Sequence, residues 1–280
     1  MERNRFNKIL IIQSLSDSEL HTGTKIKEDL ETYNAAFPHG LSIDLIDVGS
    51  KNEFLAVLVD IEKHARMNAF FPILHIDAHG TTDHDGIIFS SGDFCGWSDV
   101  KPYFININIA TKLNLLIVFS LCYGAHFSEH FVPPDRAPCW GLVGPTKAVK
   151  SDYLLNSFSV FYREIFETGD GNEAVHQLNK YVSVNDIDYY FTTAASFFKN
   201  VYMSYIQQRC TKEAYDKRAR KLRKRLKESN VQKLPSIGNL RRQFTSSQKD
   251  YFERYREKFF MIDLFPENAE RFNVQYSEVI

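Results

Sequence analysis

Phe71-Pro-Ile-Leu-His-Ile-Asp-Ala-His79-Gly80 and Leu115-Leu-Ile-Val-Phe-Ser-Leu-Cys122-Tyr-Gly124 are the two stretches that decide the fold. Each is a short apolar run ending abruptly in polar residues and a glycine, the pattern of a strand buried on both faces. Working outward from the first, residues 8–15 form another apolar run, and 22–33 read as a helix with Thr24 as its cap. Residues 41–48 alternate as a strand, and 51–67 read as a helix with Phe54, Leu58 and Ile61 on one face. Strand, helix, strand, helix, strand predicts a three-layer α/β/α domain around a mostly parallel sheet. Reactive groups in such a sheet gather beyond the carboxyl ends of the strands. If the two runs are adjacent strands, His79 and Cys122 meet at that edge.

The remaining elements follow the same reading. A hairpin is expected over 85–96, a helix over 97–109, and short strands over 113–119 and 140–145. Helices begin at Ser151, with Phe158, Phe161 and Ile165 on one stripe, and at Asn172, separated by Gly169-Asp-Gly171. Residues 187–197 are aromatic and β-branched, which suggests a last strand. Beyond residue 205 the character changes. Residues 211–229 form a basic helix with a narrow stripe of Tyr215, Ala219, Leu222 and Leu226; 231–240 read as a connector and 246–261 as a final helix. The expected division is an α/β domain over 1–205 and a basic helical extension over 206–280.

With 280 residues, 44% of them hydrophobic, the chain can bury one large core and an appendage. The formal charge of -1 hides an asymmetry: from Arg209 to Lys258 there are 17 Lys+Arg against 6 Asp+Glu, a local excess of +11. That surface is expected either to be solvated or to dock an acidic partner protein. Nucleic acid is the less favoured partner, because Lys217-Arg-Ala-Arg-Lys-Leu-Arg-Lys-Arg225 interleaves no aromatic rings for base stacking. The apolar run Ile9-Leu-Ile-Ile12 is too short for a signal-peptide core or a membrane span, so the expectation is a cytoplasmic protein with no membrane partner. Cys95, Cys122, Cys139 and Cys210 form no CxxC pair and no zinc-finger spacing, which leaves free thiols, no metal and no cofactor.

A thiol is a good nucleophile only as thiolate, so Cys122 needs a base, and His79 stands opposite. A helix beginning near Tyr123-Gly-Ala would add its amino-terminal dipole. Gly80, lacking a side chain, lets its amide face the site. The amides of Gly80 and Cys122 together are candidate donors to a tetrahedral oxyanion, a device worth about 3 kcal/mol.

Leu74-His75-Ile-Asp-Ala-His79-Gly80 resembles the His-Gly motif of clan CD cysteine peptidases. It is most similar to the CHAT branch of the caspase-like fold, related to caspases, separase and gingipains, where a first histidine often precedes His-Gly by four residues. Asp85-Gly-Ile-Ile-Phe-Ser-Ser-Gly, the helix after Trp97 and the run from Leu115 to Cys122-Tyr-Gly124 follow in the family's order, as do Gly141-Leu-Val-Gly, Phe161-Tyr162-Arg-Glu and Gly171-Asn-Glu-Ala174. The likeness covers residues 8–200. It implies a cysteine endopeptidase acting on a protein substrate, with His79 as general base and acid, Cys122 as nucleophile and the Gly80 and Cys122 amides as oxyanion donors. It also implies a kinship with bacterial stress and defence systems; the resemblance does not assign the pocket beside the scissile bond, for which Asp77 and Asp152 are candidate acidic floor residues that would favour Arg or Lys. Leu121 stands where the family usually has Ala. Tandem helical repeats commonly fused to such domains are absent from the sequence, so the expected regulator is a separate protein.

Rival readings are weaker. His75, Asp77, His79 and Asp83 crowd together as in the manganese-binding run of ureohydrolases, yet no later Asp-x-Asp cluster completes such a site. A glutamine amidotransferase elbow would need glycine where Ser120 stands. The alternative from another class is a caspase-like pseudoenzyme or scaffold that keeps the fold without the chemistry.

Overall fold

In the computed structural model all residues are described except 1–5, 37–40, 68–69, 133–134, 169 and 183–187. The expected break at Gly169 and the expected strand start at Ile187 lie outside the described residues. Strands β1 (Lys8–Gln13), β2 (Ser42–Asp47) and β3 (Pro72–Asp77) alternate with helices α1 (Thr22–Ala36) and α2 (Lys51–Met67). A rim sheet of β4 (His79–Gly80), β5 (Gly86–Ile88) and β6 (Phe94–Gly96) precedes α3 (Trp97–Ala110) and β7 (Leu116–Ser120). Then come β8 (Gly141–Pro145), α4 (Ser151–Thr168), α5 (Gly171–Val182) and β9 (Tyr189–Thr193). The central sheet has the order β2-β1-β3-β7-β8-β9, parallel throughout except for β9, which runs antiparallel to β8. The fold is the α/β class with a mostly parallel sheet, as the sequence implies.

Alternation along the strands sends successive side chains to opposite layers. On one face Ile9, Ile11, Ile73, Leu116 and Val118 meet Ile26 and Leu30 of α1, Phe158 and Phe161 of α4 and Leu178 of α5. On the other, Phe119 packs against Trp97 and Phe104 of α3 and against Phe127, with ring centroids 5.2, 6.2 and 5.6 Å apart. Tilted and edge-on ring pairs of this kind contribute about 1 kcal/mol each beyond burial. Both central strands are buried along their whole length.

Three local expectations change. Helix α1 starts at Thr22 as expected, but Thr24 is not its cap: the amino end is capped from outside, where the Asp77 carboxylate accepts the Thr22 hydroxyl at 2.7 Å and the Gly23 amide at 2.6 Å. The last strand ends at Thr193, and Ala194 opens α6 (Ala194–Arg209), since Ala-Ala-Ser and the rings that follow pack as a helix and not as a sheet edge. The connector is shorter than expected, because Ser236 caps α8 (Ile237–Ser246) by accepting the Asn239 amide at 3.1 Å.

The chain divides into two compact units, the first running to Val132 and again over Ala137–Ala194, the second comprising Ala195–Ile280 and a short stretch ending at Arg136. Residue 205 lies inside α6. The second unit continues with α7 (Lys212–Glu228), α8, α9 (Gln248–Phe259) and α10 (Asn268–Arg271). Its core is aromatic: Phe198 lies 5.6, 5.4 and 5.1 Å from the rings of Phe252, Phe259 and Phe260. Arg136 forks onto Asp263 at 2.7 and 2.6 Å. No helix among the described residues is long and apolar enough to cross a membrane.

Asp77→Ala strands the Thr22 hydroxyl and the Gly23 amide in the interior, which is expected to lower unfolding free energy by about 2–4 kcal/mol. Asp152→Ala, at an exposed position in the first turn of α4, is expected to stay within about 0.5 kcal/mol of the parent. Urea denaturation of the two variants side by side checks both.

Candidate active site

Strands β3 and β7 are paired in parallel with Asp77 opposite Ser120, so residues 79 and 122 lie equally far past the last rung of the ladder. The two chains stay in contact there. A Cβ built on Gly80 would fall 1.7 Å from the carbonyl oxygen of Cys122, closer than any side chain can approach. Glycine is therefore required at position 80 by backbone proximity. Gly124 has a similar role, since a Cβ there would come 2.5 Å from the Cβ of Phe119. Tyr123, between them, takes a left-handed conformation with φ of 61°.

His79 is half exposed at the rim, and its Nε2 meets Oε1 of Glu19 at 2.8 Å. Glu19 is itself anchored: its Oε2 accepts the Ser16 amide at 2.8 Å and the Ser16 hydroxyl at 2.7 Å. Those two donors, more than the neighbouring His79, hold the Glu19 carboxyl below its ordinary pKa, so it stays ionised. An ion pair this exposed contributes little to stability, about 0–1 kcal/mol. Its effect is to fix the ring and leave Nδ1 free of that contact. Glu19 was not anticipated; the Ser16-Asp-Ser-Glu19 spacing resembles a capping box and was the available signal.

The Cys122 thiol is half buried. It donates to the Val149 carbonyl at 3.6 Å and receives the Val149 amide at 3.4 Å. Among the described residues no hydrogen bond joins His79 to Cys122. The amide of Tyr123 donates to the Lys147 carbonyl and that of Gly124 to Leu121. The expected helix after the cysteine is a seven-residue 3-10 helix, Gly124–His130, too short to supply a helix dipole of consequence.

Asp77 does not floor a substrate pocket. It is 1% exposed, and its carboxylate oxygens are taken up by Thr22 and Gly23. Burial raises its pKa, offset in part by these donors. Asp152 is exposed and accepts the following Tyr153 amide at 3.0 Å. His75 belongs to the core: its Nδ1 shares a hydrogen bond with the Tyr162 hydroxyl at 3.0 Å, its ring stands edge-on to Phe158 at 5.2 Å, and burial pushes its pKa down to about 3. Cys95 is buried with its pKa pushed up to about 11, and Cys139 is shifted well upward by the same cause, so neither thiol ionises near neutrality. Among the described residues no three His, Cys, Asp or Glu side chains converge to hold a metal.

One rim feature had no sequence signal. The ring of His84, on a residue with φ of 62°, stacks 4.0 Å from that of Tyr123 and lies 4.3 Å from His126. Its carbonyl accepts the Trp97 indole at 2.8 Å. This stack forms a wall directly beside the residue following the thiol.

Gly80→Ala is expected to cost about 3 kcal/mol, at the upper end of overpacking penalties, measurable by thermal or urea unfolding. Glu19 has a depressed carboxyl pKa, so its contribution to stability is present above the ordinary value of 4.5 and is lost as pH falls through the lowered folded value. Glu19→Gln is therefore expected to flatten that part of the acid-unfolding curve. No family model matches the chain, and no curated protein matches it. Among solved structures, the crystal structure of the Drosophila initiator caspase Dronc is similar with a TM-score of 0.49 and 12% identity, over 69% of this chain and 81% of that chain.

Proposed function

We propose that this chain is a caspase-like cysteine endopeptidase of the CHAT type, in which Cys122 is the nucleophile and His79 the general base and acid. The observation that carries the reading is the contact of Gly80 with the Cys122 carbonyl beyond the paired ends of β3 and β7, which brings a thiol and an imidazole to one sheet edge. In the resting state the thiol proton rests on the Val149 carbonyl. Substrate binding turns it to Nδ1 of His79, and the Val149 amide remains to stabilise the thiolate. The sulfur then attacks the peptide carbonyl, and the oxyanion is received by the amides of Gly80 and Cys122. The imidazolium, steadied by ionised Glu19, returns its proton to the leaving amine. Water, deprotonated by the same ring, attacks the thioester, and the sulfur departs as thiolate to be reprotonated.

The substrate is a protein, and a separate regulatory protein is the proposed control. Because Asp77 is buried against the start of α1, it supplies no preference for Arg or Lys beside the scissile bond.

The test is a positional-scanning peptide library incubated with purified full-length protein, alongside a fluorescent thiol-directed probe. Cleavage is expected to vanish in Cys122→Ala and in His79→Ala, with the fold retained by circular dichroism. Glu19→Ala is expected to lower kcat roughly 10–100-fold with little change in KM, below the usual full effect of a general base. Cleavage or labelling that survives Cys122→Ala would overturn the assignment. No cleavage of any library member, with Cys122 unlabelled, would favour the scaffold reading.

A further inference from the structure

We propose that one face of α7, carrying Arg220, Arg223, Lys224 and Lys227, is a docking groove for an acidic, amphipathic segment of a partner protein. The four cations recur at spacings of three, one and three residues, which aligns them on a single helical face. With Leu234 and Ile237 they line a cavity of about 370 Å³. The first half of the apolar stripe on α7 is accounted for by packing: Tyr215 and Ala219 are buried, and the Tyr215 ring stacks 6.2 Å from Phe244 of α8. Packing does not account for the cations.

Elsewhere the chain neutralises helix charges locally. Lys25 pairs with Glu28 and Lys27 with Glu31 on α1, and Lys63 with Asp60 and Arg66 with Glu62 on α2. On this face of α7 the one ion pair among the described residues is a long one, Lys224 to Glu228 at 3.9 Å. Arg220 and Lys224, and Arg223 and Lys227, are instead like charges four apart, which disfavours the helix. A partner bringing carboxylates relieves that repulsion, and the arginine forks suit carboxylate geometry.

The opposite wall decides the class of partner. Leu234 and Ile237 are half-buried aliphatic side chains, with no counterpart on a phosphate backbone. Single-stranded nucleic acid binds where cations alternate with rings on which bases stack, and no ring lines this groove. An acidic segment with aliphatic anchors satisfies both walls at once. The inference is independent of the chemistry at Cys122.

The test is fluorescence anisotropy with the full chain and three labelled probes: a peptide of Glu and Leu, the same peptide with every Leu replaced by Ser, and a single-stranded oligonucleotide of equal charge. The Glu/Leu peptide is expected to bind roughly tenfold tighter than its Ser counterpart, the scale of two partly buried aliphatic contacts, and to weaken as salt rises. Leu234→Ser is expected to erase that advantage while retaining the charge-driven part. Arg220→Glu with Arg223→Glu is expected to abolish peptide binding without lowering the melting temperature, because each new glutamate faces a lysine four residues on. Failure of the Glu/Leu peptide to bind, or its undiminished binding to the double variant, would overturn the proposal. Oligonucleotide binding as tight as that of the Glu/Leu peptide and indifferent to Leu234→Ser would replace it with a nucleic-acid face.

Discussion

Beyond the last rung between β3 and β7, the backbone at Gly80 lies against the carbonyl of Cys122 with no room for a side chain. That contact ties together the geometry of the first unit. It requires glycine after the histidine and aligns two segments separated by more than forty residues of chain. The register below it, Asp77 against Ser120, is maintained by strands buried on both faces. A one-residue slip would turn their apolar side chains to the wrong layers. Site geometry and core packing are thus specified by the same pairing.

The carboxylates divide their work by depth. Asp77, sunk at the end of β3, spends its oxygens on the start of α1, which fixes where the loop before that helix ends. Glu19 sits in that loop and reaches the imidazole from the solvent side. A buried acid thereby positions a backbone, and the loop so placed presents an exposed acid to the ring. Val149, following β8, holds the thiol from the other direction.

Much of this was legible from residue order. The apolar runs ending at His79 and Cys122 read as central strands because fully buried parallel strands have no polar alternation to confuse them. Of the stripe Tyr215, Ala219, Leu222 and Leu226, whose spacing follows the helix repeat, Tyr215 and Ala219 are buried and the two leucines half-buried. What escaped was tertiary in origin. Thr24 looked like a cap because the acceptor that caps α1 comes from position 77, far along the chain. Glu19 has no reading of its own in the sequence, since nothing local reveals a histidine sixty residues away. The end of β9 was misjudged because Tyr190, Phe191 and Phe197 have similar local preferences, and only packing separates strand from helix at Ala194. Asp77 looked available to substrate because strand alternation gives a face but not what covers it.

His75, neutral and enclosed between Tyr162 and Phe158, has a further consequence. The unfolded chain takes up a proton at this residue near its ordinary value of 6.5, whereas the folded chain resists until about 3. Stability from this residue is complete above the first value and drains away as acidity increases toward the second. The molecule thus has an acid tolerance limit written into its interior, away from the reacting groups. Falling pH therefore weakens the scaffold through its core, whatever the state of the imidazole at the rim.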